Sequence, residues 1–389
     1  MDLKNKVADI QDELVRLRRY FHENPELSWH ENNTQKKIME YLDALNVPYI
    51  KSTQTGVIAT IKGAKSSDKV IGIRADIDAL PITELSDVSF KSKNEGVMHA
   101  CGHDTHITIL LGTAKVLAEM RDELPVTVRL LFQPSEEFIA DSGAAYMKDE
   151  PQVLECDRLI ALHIWSKIKL GDASLRYGPV MSACDTFDIY INGKGGHGAL
   201  PHQTVDPVVA GAELVQSLQR LVSREVSPLD TAVVSVTEFH SGTTSNIIPD
   251  SAHLTGTTRT FNNELREQYP KMLARVARGV GEATRTEIKV DYHWGPAAMI
   301  NDDDCVTTGR RAAAKVFGEE HVIEHELQMG GEDFAKYKNA KCLLLLGGGM
   351  DAPDMRFPQH SPYFQIDERA LGLGVEYFVQ YVMEYGSEQ

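Results

Sequence analysis

Mainly apolar runs and helically spaced apolar positions alternate along the first part of the chain. The runs at residues 70–73, 126–132 and 159–162 predict buried strands, because a half-exposed strand would alternate strictly between apolar and polar residues. Residues 107–118 place apolar side chains every three or four positions, which predicts a helix between the first two strands. This order indicates an α/β fold with a mostly parallel sheet covered by helices.

Elements of the same kind are expected near both ends of the chain. About 40 residues at the start look helical, with a break at Asn24-Pro25. A helix at 304–317 and a strand at 342–346 would return the chain to the sheet. Asp104 or Thr105 would cap the helix at 107–118.

The middle of the chain has a different pattern. Phe187, Ile189 and Ile191 alternate with polar residues and predict a half-exposed strand. The elements expected after it are a helix at 204–226, strands at 232–239 and 252–261, a helix at 263–284 and a strand at 288–294. The order βαββαβ is that of a small ferredoxin-like sandwich. We therefore expect an inserted domain at 185–295 between the two parts of a larger α/β domain, 1–184 and 296–389.

Composition narrows the class of protein. The chain has 389 residues, 42% of them hydrophobic, which is enough to bury the cores of two domains. A net charge of −16 without a basic cluster argues against nucleic acid and anionic membranes as partners. The first 20 residues are charged and amphipathic, unlike a signal peptide, and no apolar run is long enough to span a bilayer. Five scattered cysteines are typical of a reducing compartment, so we expect a cytoplasmic protein.

Thiol, imidazole and carboxylate side chains occur together near the expected strand ends. Cys101 and His103 stand two residues apart, the pair Glu136-Glu137 follows one strand, and His163 ends the next. These are the ligand types that borderline divalent metals take. On an extended segment the side chains of residues i and i+2 point to the same side, so Cys101 and His103 can bind one metal ion. Parallel sheets bind ligands at the carboxyl ends of their strands, where Asp76 also falls.

Each of these signals has an ordinary alternative when taken alone. A buried cysteine packs as a small hydrophobe, paired acids favour a helix start, and a histidine at a strand end usually serves a core hydrogen bond. Cys101 with His103 as base is also conceivable as a thiol nucleophile. His360 carries almost no information alone. The convergence of four weak signals on one sheet favours a metal site with one acid to spare.

Several motifs resemble the M20 metallopeptidase superfamily, and most closely its amidohydrolase branch. That branch includes N-acyl-amino-acid hydrolases, auxin-conjugate hydrolases and N-acetyldiaminopimelate deacetylases. The resemblance runs from about Arg18 to about Arg369. Its motifs are RADIDALP (74–81), MHACGHDTH (98–106), QPSEE (133–137), GKGGHGALPH (193–202), SNIIP (245–249) and MGGEDF (329–334).

The resemblance implies a catalytic domain and roles for its residues. The implied metal ligands are Cys101, His103, Glu137, His163 and His360. Five ligands suit two divalent ions (Zn, Mn, Co or Ni) bridged by the thiolate and a water, rather than one ion with an open position. Glu136 is implied as the general base, and Asp76 as a group that orients a ligand histidine. For Asp78, hydrogen bonding to backbone amides of the loop is as good an interpretation as orienting a histidine.

The inserted domain is implied to be a lid that also forms a homodimer. His197, in a glycine-rich loop, would reach the partner subunit's site and polarise the scissile carbonyl. Asn246 and Arg259 would hold the substrate, since a guanidinium binds both oxygens of a carboxylate. A solvent-exposed arginine on a strand, without a role in substrate binding, is an equally good interpretation of Arg259. Gly330 and Gly331 would offer backbone N–H groups near the substrate.

The chain departs from the family in two places. After the glutamate pair, relatives usually carry Pro-Gly-Gly-Ala, whereas residues 138–144 read FIADSGA here. Near the last ligand, relatives have several consecutive histidines, whereas Gln359 and Ser361 flank a single His360. Both changes bear on substrate preference more than on catalysis.

Together these interpretations predict a metal-dependent amidohydrolase that uses a metal-activated water to remove N-acyl groups from N-acylated amino acids or related conjugates, which are small molecules. One alternative is a dipeptidase or carboxypeptidase of the same superfamily. Another is a metal-binding or peptide-binding protein without catalysis, which Glu136 argues against because a binder needs no additional acid.

Overall fold

The computed structural model describes residues 3–65 and 68–388, so the outer ends of the predicted domains, at 1 and 389, lie outside it. The α-helices are α1 (Leu3–Glu23), α2 (Asn32–Ala44), α3 (His103–Glu119), α4 (Ala144–Met147), α5 (Pro151–Leu154), α6 (Pro207–Arg220), α7 (Asn263–Thr284), α8 (Asp303–Phe317) and α9 (Ala370–Ser387). The strands are β1 (Tyr49–Ser52), β2 (Gly56–Lys62), β3 (Val70–Asp76), β4 (Thr127–Gln133), β5 (Arg158–Lys169), β6 (Ala173–Ser174), β7 (Gly178–Met181), β8 (Ala183–Asn192), β9 (Gly196–His197), β10 (Ala232–Ser241), β11 (Ile247–Ile248), β12 (Ser251–Thr260), β13 (Glu287–His293), β14 (Met299–Asn301), β15 (Val322–Ile323) and β16 (Ala340–Gly349).

The chain divides into two compact units. The first consists of the residues up to Val180, Ile300–Glu326 and the residues from Lys336 onward. The second consists of Met181–Met299 together with Leu327–Ala335. Nothing in the sequence pattern indicated that this last short segment joins the second unit.

The first unit is built on an eight-stranded mixed sheet. Its strand order is β1-β2-β4-β3-β5-β16-β6-β15. The central neighbours β4, β3, β5 and β16 run parallel, whereas β1 and β2 are antiparallel additions at one edge. The predicted α/β class with a mostly parallel sheet is confirmed.

Helices α1, α3 and α9 pack on one another and contribute to the main core. In α1 the apolar residues recur at helical spacing, and the buried ones are Val7, Ile10, Leu14, Leu17 and Phe21. Helix α3 is buried over almost its whole length and packs against β3. This burial holds the start of α3, next to Cys101, in a fixed position.

The second unit contains a four-stranded antiparallel sheet in the order β10-β12-β8-β13. With α6 and α7 the chain order of this unit is βαββαβ. Phe187, Ile189 and Ile191 of β8 are completely buried among the residues of these two helices, while Tyr190 between them and the preceding Thr186 are exposed. The alternating pattern of β8 therefore gives one core face and one open face.

Three local expectations were wrong or incomplete. Helix α3 begins at His103 with Gly102 as its N-cap, so neither Asp104 nor Thr105 caps it. The Asp104 carboxylate instead pairs with Arg18 and His22 in the core, each at 2.8 Å. Strand β5 continues six residues past His163, to Lys169. Strands β1 and β2 and the C-terminal helix α9 were not predicted.

No helix among residues 3–65 and 68–388 combines the length and the apolar character needed to cross a membrane.

Candidate metal centre

Cys101 and His103 are brought together by a turn that leads into a helix. Gly102 between them has φ 95°, a left-handed conformation that favours glycine. A Cβ atom at this position would lie 2.3 Å from Cγ2 of Ile164, so no other residue fits. The extended geometry expected from their spacing is therefore wrong. The thiol and the imidazole nevertheless share one cluster with His163, in which the possible ligand atoms lie within 4.8 Å of one another.

Three buried histidines meet at this point, and their hydrogen bonds show which nitrogens face the cluster. The Nδ1–H of His103 donates to the carbonyl oxygen of Asp78 at 2.9 Å, and the Nδ1–H of His163 donates to that of Ile164 at 2.8 Å. In both rings Nδ1 is therefore occupied, and Nε2 is the nitrogen left to bind a metal ion. His106 differs, because its Nε2 accepts the N–H of Ile164 at 2.9 Å while Nδ1 donates to Asp76 at 2.5 Å.

Glu137 and His360 lie close to each other. Nε2 of His360 is 3.4 Å from Oε1 of Glu137, which is also 3.8 Å from Nε2 of His103. His360 has φ 65°, and its N–H donates to the carbonyl oxygen of Ala100 at 2.8 Å. This backbone bond places His360 beside Cys101 although 259 positions separate them in the numbering.

The predicted ligands form two overlapping groups. Cys101, His103 and His163 make one group, and Cys101, Glu137 and His360 make the other. Cys101 belongs to both, with its sulfur 3.4 Å from Nε2 of His163. All five predicted ligands are thus gathered in the first unit.

Asp76 and Asp78 contact different sides of His103. Oδ2 of Asp76 lies 3.6 Å from Nε2 of His103, and its other oxygen binds His106. Oδ1 of Asp78 lies 3.2 Å from Nδ1 of His103, and Oδ2 accepts the backbone N–H of Glu137 at 3.0 Å. The carboxylate next to the Nδ1 of a predicted ligand is therefore that of Asp78.

The electrostatics of the cluster fit bound cations. Burial opposes the charge on His103, but the carboxylates of Asp76 and Asp78 outweigh it and raise the pKa of His103 to about 10. Burial and then the charges of Glu137 and Glu136 raise the pKa of the Cys101 thiol. Nε2 of His103 and Oε1 of Glu137 are buried without a hydrogen-bond partner among the described residues. Divalent ions would replace the protons on His103 and Cys101. Nε2 of His103 and Oε1 of Glu137 would then be bound to metal.

Glu136 lies beside the predicted ligands. It is 9% exposed and forms a further group with His103 and Glu137, in which the possible ligand atoms lie within 4.8 Å of one another. It follows β4 by three residues, as the strand-end pattern predicted.

The remaining predicted residues belong to the second unit. His197 is exposed on β9, pairs with Ile247 of β11, and accepts the N–H of Ala199 at 3.1 Å. Asn246 is also exposed, and its carbonyl oxygen accepts the N–H of Gly198 at 2.8 Å, so it adjoins the His197 loop. The Arg259 guanidinium is half-buried and donates to the carbonyl oxygens of Asp185 and Thr258.

The two glycines predicted to contact the substrate differ in their surroundings. The carbonyl oxygen of Gly330 accepts the N–H of Ser182 at 3.1 Å. A Cβ atom on Gly331 would lie 2.7 Å from Cβ of Cys184, so a side chain there would crowd its neighbour.

His106 was not among the predicted site residues. Its signal was present, because His103 and His106 stand three apart at the start of a helix and so share one face. Two imidazoles on one face of a buried helix indicate a polar centre, although only the contacts distinguish a ligand from a supporting residue.

Comparisons with known proteins agree with this description. Residues 72–384 match the profile of peptidase family M20/M25/M40. The chain is 39% identical over 374 residues to an N-acetylcysteine deacetylase of Bacillus subtilis (strain 168), covering 94% of this chain and 95% of that protein. It is 36% identical over 380 residues to thermostable carboxypeptidase 2 of Saccharolobus solfataricus, covering 96% and 95%. The crystal structure of a Bacillus subtilis dinuclear metal binding peptidase of the M20 family matches with a TM-score of 0.84 and 34% identity, covering 96% and 98%.

Fold and site together define a metal-dependent hydrolase that acts on amide or peptide bonds. The chain belongs to the M20 peptidase family, within its amidohydrolase and aminoacylase-like branch, as its motifs predicted.

Proposed function

We propose that this hydrolase removes N-acyl groups from N-acylated amino acids or related conjugates. The observation that carries the proposal is the pair of ligand groups that share Cys101, with the acid Glu136 beside the ligand Glu137. The relative named for deacetylation of N-acetylcysteine supports an N-acyl substrate.

Two divalent ions are the proposed cofactors. His103 and His163 would hold one ion, Glu137 and His360 the other, and the Cys101 thiolate both. Mixed sulfur, nitrogen and oxygen ligands suit Zn, Mn, Co or Ni. When bound, these ions supply Lewis-acid chemistry, which polarises the amide carbonyl and makes water more acidic.

The protein's own residues would carry the proton and set the geometry. Glu136 would accept a proton from the attacking water and return it to the amine nitrogen as the C–N bond breaks. Asp78 would hold the His103 ring through Nδ1, so that Nε2 stays directed at the cluster. Asp76 would hold His106 and face the Nε2 side of His103.

Substrate binding is proposed for the second unit. Asn246, Arg259 and the backbone of Gly330 and Gly331 would contact the amino acid part, and His197 would polarise the carbonyl in the site of a partner subunit. A homodimer through this unit is supported by its exposed apolar side chains, which include Leu200, Val208, Val209 and Ile247. The five free, buried cysteines suit a cytoplasmic location.

A carboxypeptidase or dipeptidase is the second candidate, favoured by the similarity to the Saccharolobus carboxypeptidase. Metal-reconstituted protein should be screened on N-acetyl amino acids and on dipeptides, with Glu136→Gln as the control. We expect turnover of the N-acetyl compounds, abolished by a chelator, and a Glu136→Gln variant that keeps its metal but loses activity. Preferential turnover of dipeptides would establish the second candidate. Full metal loading without turnover of either class would indicate a binding protein.

A further inference from the structure

Ser135, which directly precedes the two acids, has a backbone conformation that serine rarely adopts. Its φ is 52°, in the left-handed region that favours glycine. Such a conformation persists only where the surrounding contacts over-determine it. It sets the direction in which the chain leaves β4, and therefore where Glu136 points.

Three hydrogen bonds hold Ser135. Its N–H donates to Oε1 of Glu31 at 2.9 Å, and its hydroxyl donates to the carbonyl oxygen of Asp141 at 3.0 Å. Its carbonyl oxygen accepts the N–H of Gly143 at 3.0 Å. Asp141 and Gly143 belong to the loop that follows the acids, so they would move with it. Among these three partners, Glu31 alone ties Ser135 to a separate element.

Glu31 is itself firmly held. It is completely buried and directly precedes α2, where its carbonyl oxygen accepts the N–H of Gln35 at 2.9 Å. The Thr55 hydroxyl donates to its second carboxylate oxygen at 2.6 Å. Both the backbone and the side chain of Glu31 are therefore anchored, and its Oε1 is a fixed acceptor for Ser135.

We infer that Glu31 is a positioning residue for Glu136, acting through the left-handed conformation of Ser135. The inference rests on the proposed role of Glu136 as the proton carrier. The Glu31 carboxylate contacts the backbone N–H of Ser135, so Glu31 acts by holding the backbone and not by touching the reacting atoms.

The test compares three variants of the metal-loaded enzyme. Glu31→Leu keeps the side-chain volume but removes both acceptors, whereas Glu31→Gln keeps an acceptor for the Ser135 N–H. Thr55→Val is the matched control, because it breaks the other bond of Glu31 and leaves the bond to Ser135 intact. We expect Glu31→Leu to lower kcat by about 10- to 100-fold, since a catalytic group misplaced by about 1 Å can cost that much. KM and metal content should stay within about twofold of the wild type.

The conservative variant and the control should keep kcat within about threefold of the wild type. An unchanged kcat in Glu31→Leu, or an equal loss in Thr55→Val, would overturn the inference. Should Glu31→Leu not fold, Ser135→Gly and Ser135→Val give a second test. Both lose the hydroxyl bond to Asp141, but only glycine accepts a φ of 52° without strain. Glycine should preserve kcat and valine should lower it; equal values for the two would contradict the inference.

Amide hydrogen exchange over residues 132–138 gives a readout that does not depend on turnover. Glu31→Leu should speed exchange at Glu136 relative to Thr55→Val, and identical exchange in the two variants would count against the role of Glu31. Should the wild type hydrolyse no N-acyl amino acid, the proposed function fails, while this comparison still decides whether Glu31 holds the backbone at Glu136.

Discussion

The carboxylate of Asp78 accepts the backbone N–H of Glu137 at 3.0 Å, although 59 positions separate the two residues. The same carboxylate lies 3.2 Å from Nδ1 of His103 and accepts the Ser28 hydroxyl at 2.7 Å. One buried acid therefore holds two proposed ligands, and the loop that carries Glu137 depends on it.

Asp78→Ala is expected to weaken metal binding by about 10- to 100-fold, the usual effect of removing a group that orients a ligand. The loss should be incomplete, because the carbonyl oxygen of residue 78 also accepts the Nδ1–H of His103. Titration calorimetry with Zn or Mn would measure it. Ser28→Ala, which removes one contact of Asp78, is the control and should change affinity by less than about threefold. Equal affinities of Asp78→Ala and the wild type would remove Asp78 from the site.

Cys101→Ala should reduce the content of both metals, because Cys101 belongs to both ligand groups. We expect kcat/KM to fall by about 100-fold or more, at least the effect of losing a supporting residue. Cys156→Ala is a matched control, since Cys156 is also a free, buried cysteine. Elemental analysis that finds two full equivalents of metal in Cys101→Ala would contradict the assignment.

Subunit exchange tests whether His197 serves the partner's site. Glu136→Ala and His197→Ala homodimers should each be almost inactive. Random mixing makes half the dimers mixed, each with one intact site, so activity should recover to about a quarter of the wild type per site. His197 working within its own chain, or only stabilising its loop, predicts no recovery. Mass spectrometry must confirm that mixed dimers have formed, and absence of recovery in their presence would rule out the shared site.

Glu31 should make stability depend on pH. Burial and then the charge of Asp78 raise the pKa of Glu31 from 4.5 to about 7. The folded state therefore binds the proton of the Glu31 carboxyl group more tightly than the unfolded state does. The stabilisation of the fold by this protonation is complete below pH 4.5 and is lost as the pH rises through about 7. The full effect is about 3 kcal/mol, from 1.36 kcal/mol per pKa unit.

Urea denaturation of the wild type and of Glu31→Gln, which cannot titrate, would isolate this contribution. The wild type should lose stability relative to Glu31→Gln mainly between pH 4.5 and about pH 7. A difference that stays constant over this range would show that Glu31 does not titrate there.

Local patterns were sufficient for much of the fold. Continuous apolar runs predicted the central strands because both faces of those strands are covered, and alternation predicted β8 because one face is open. Strands β1 and β2 and helix α9 were not predicted, because no clear periodic pattern of apolar residues distinguished them before their packing partners were known. The cap of α3 was misjudged because Asp104 pairs with Arg18, a partner far away in the chain.

Residue type and short-range spacing by themselves determined the class of chemistry: a thiol, imidazoles and carboxylates near strand ends can serve a metal-dependent hydrolase. Only the tertiary structure decided which nitrogen of each histidine faces the cluster, and which of Asp76 and Asp78 orients His103. Those choices depend on hydrogen-bond partners far apart in sequence, such as the N–H of Ile164 that occupies Nε2 of His106. The local sequence could not predict the left-handed backbone conformations of Ser135 and His360 either, because hydrogen bonds to Glu31 and Ala100 stabilise them. Composition and spacing thus specify which groups are available, and long-range packing specifies which of them meet.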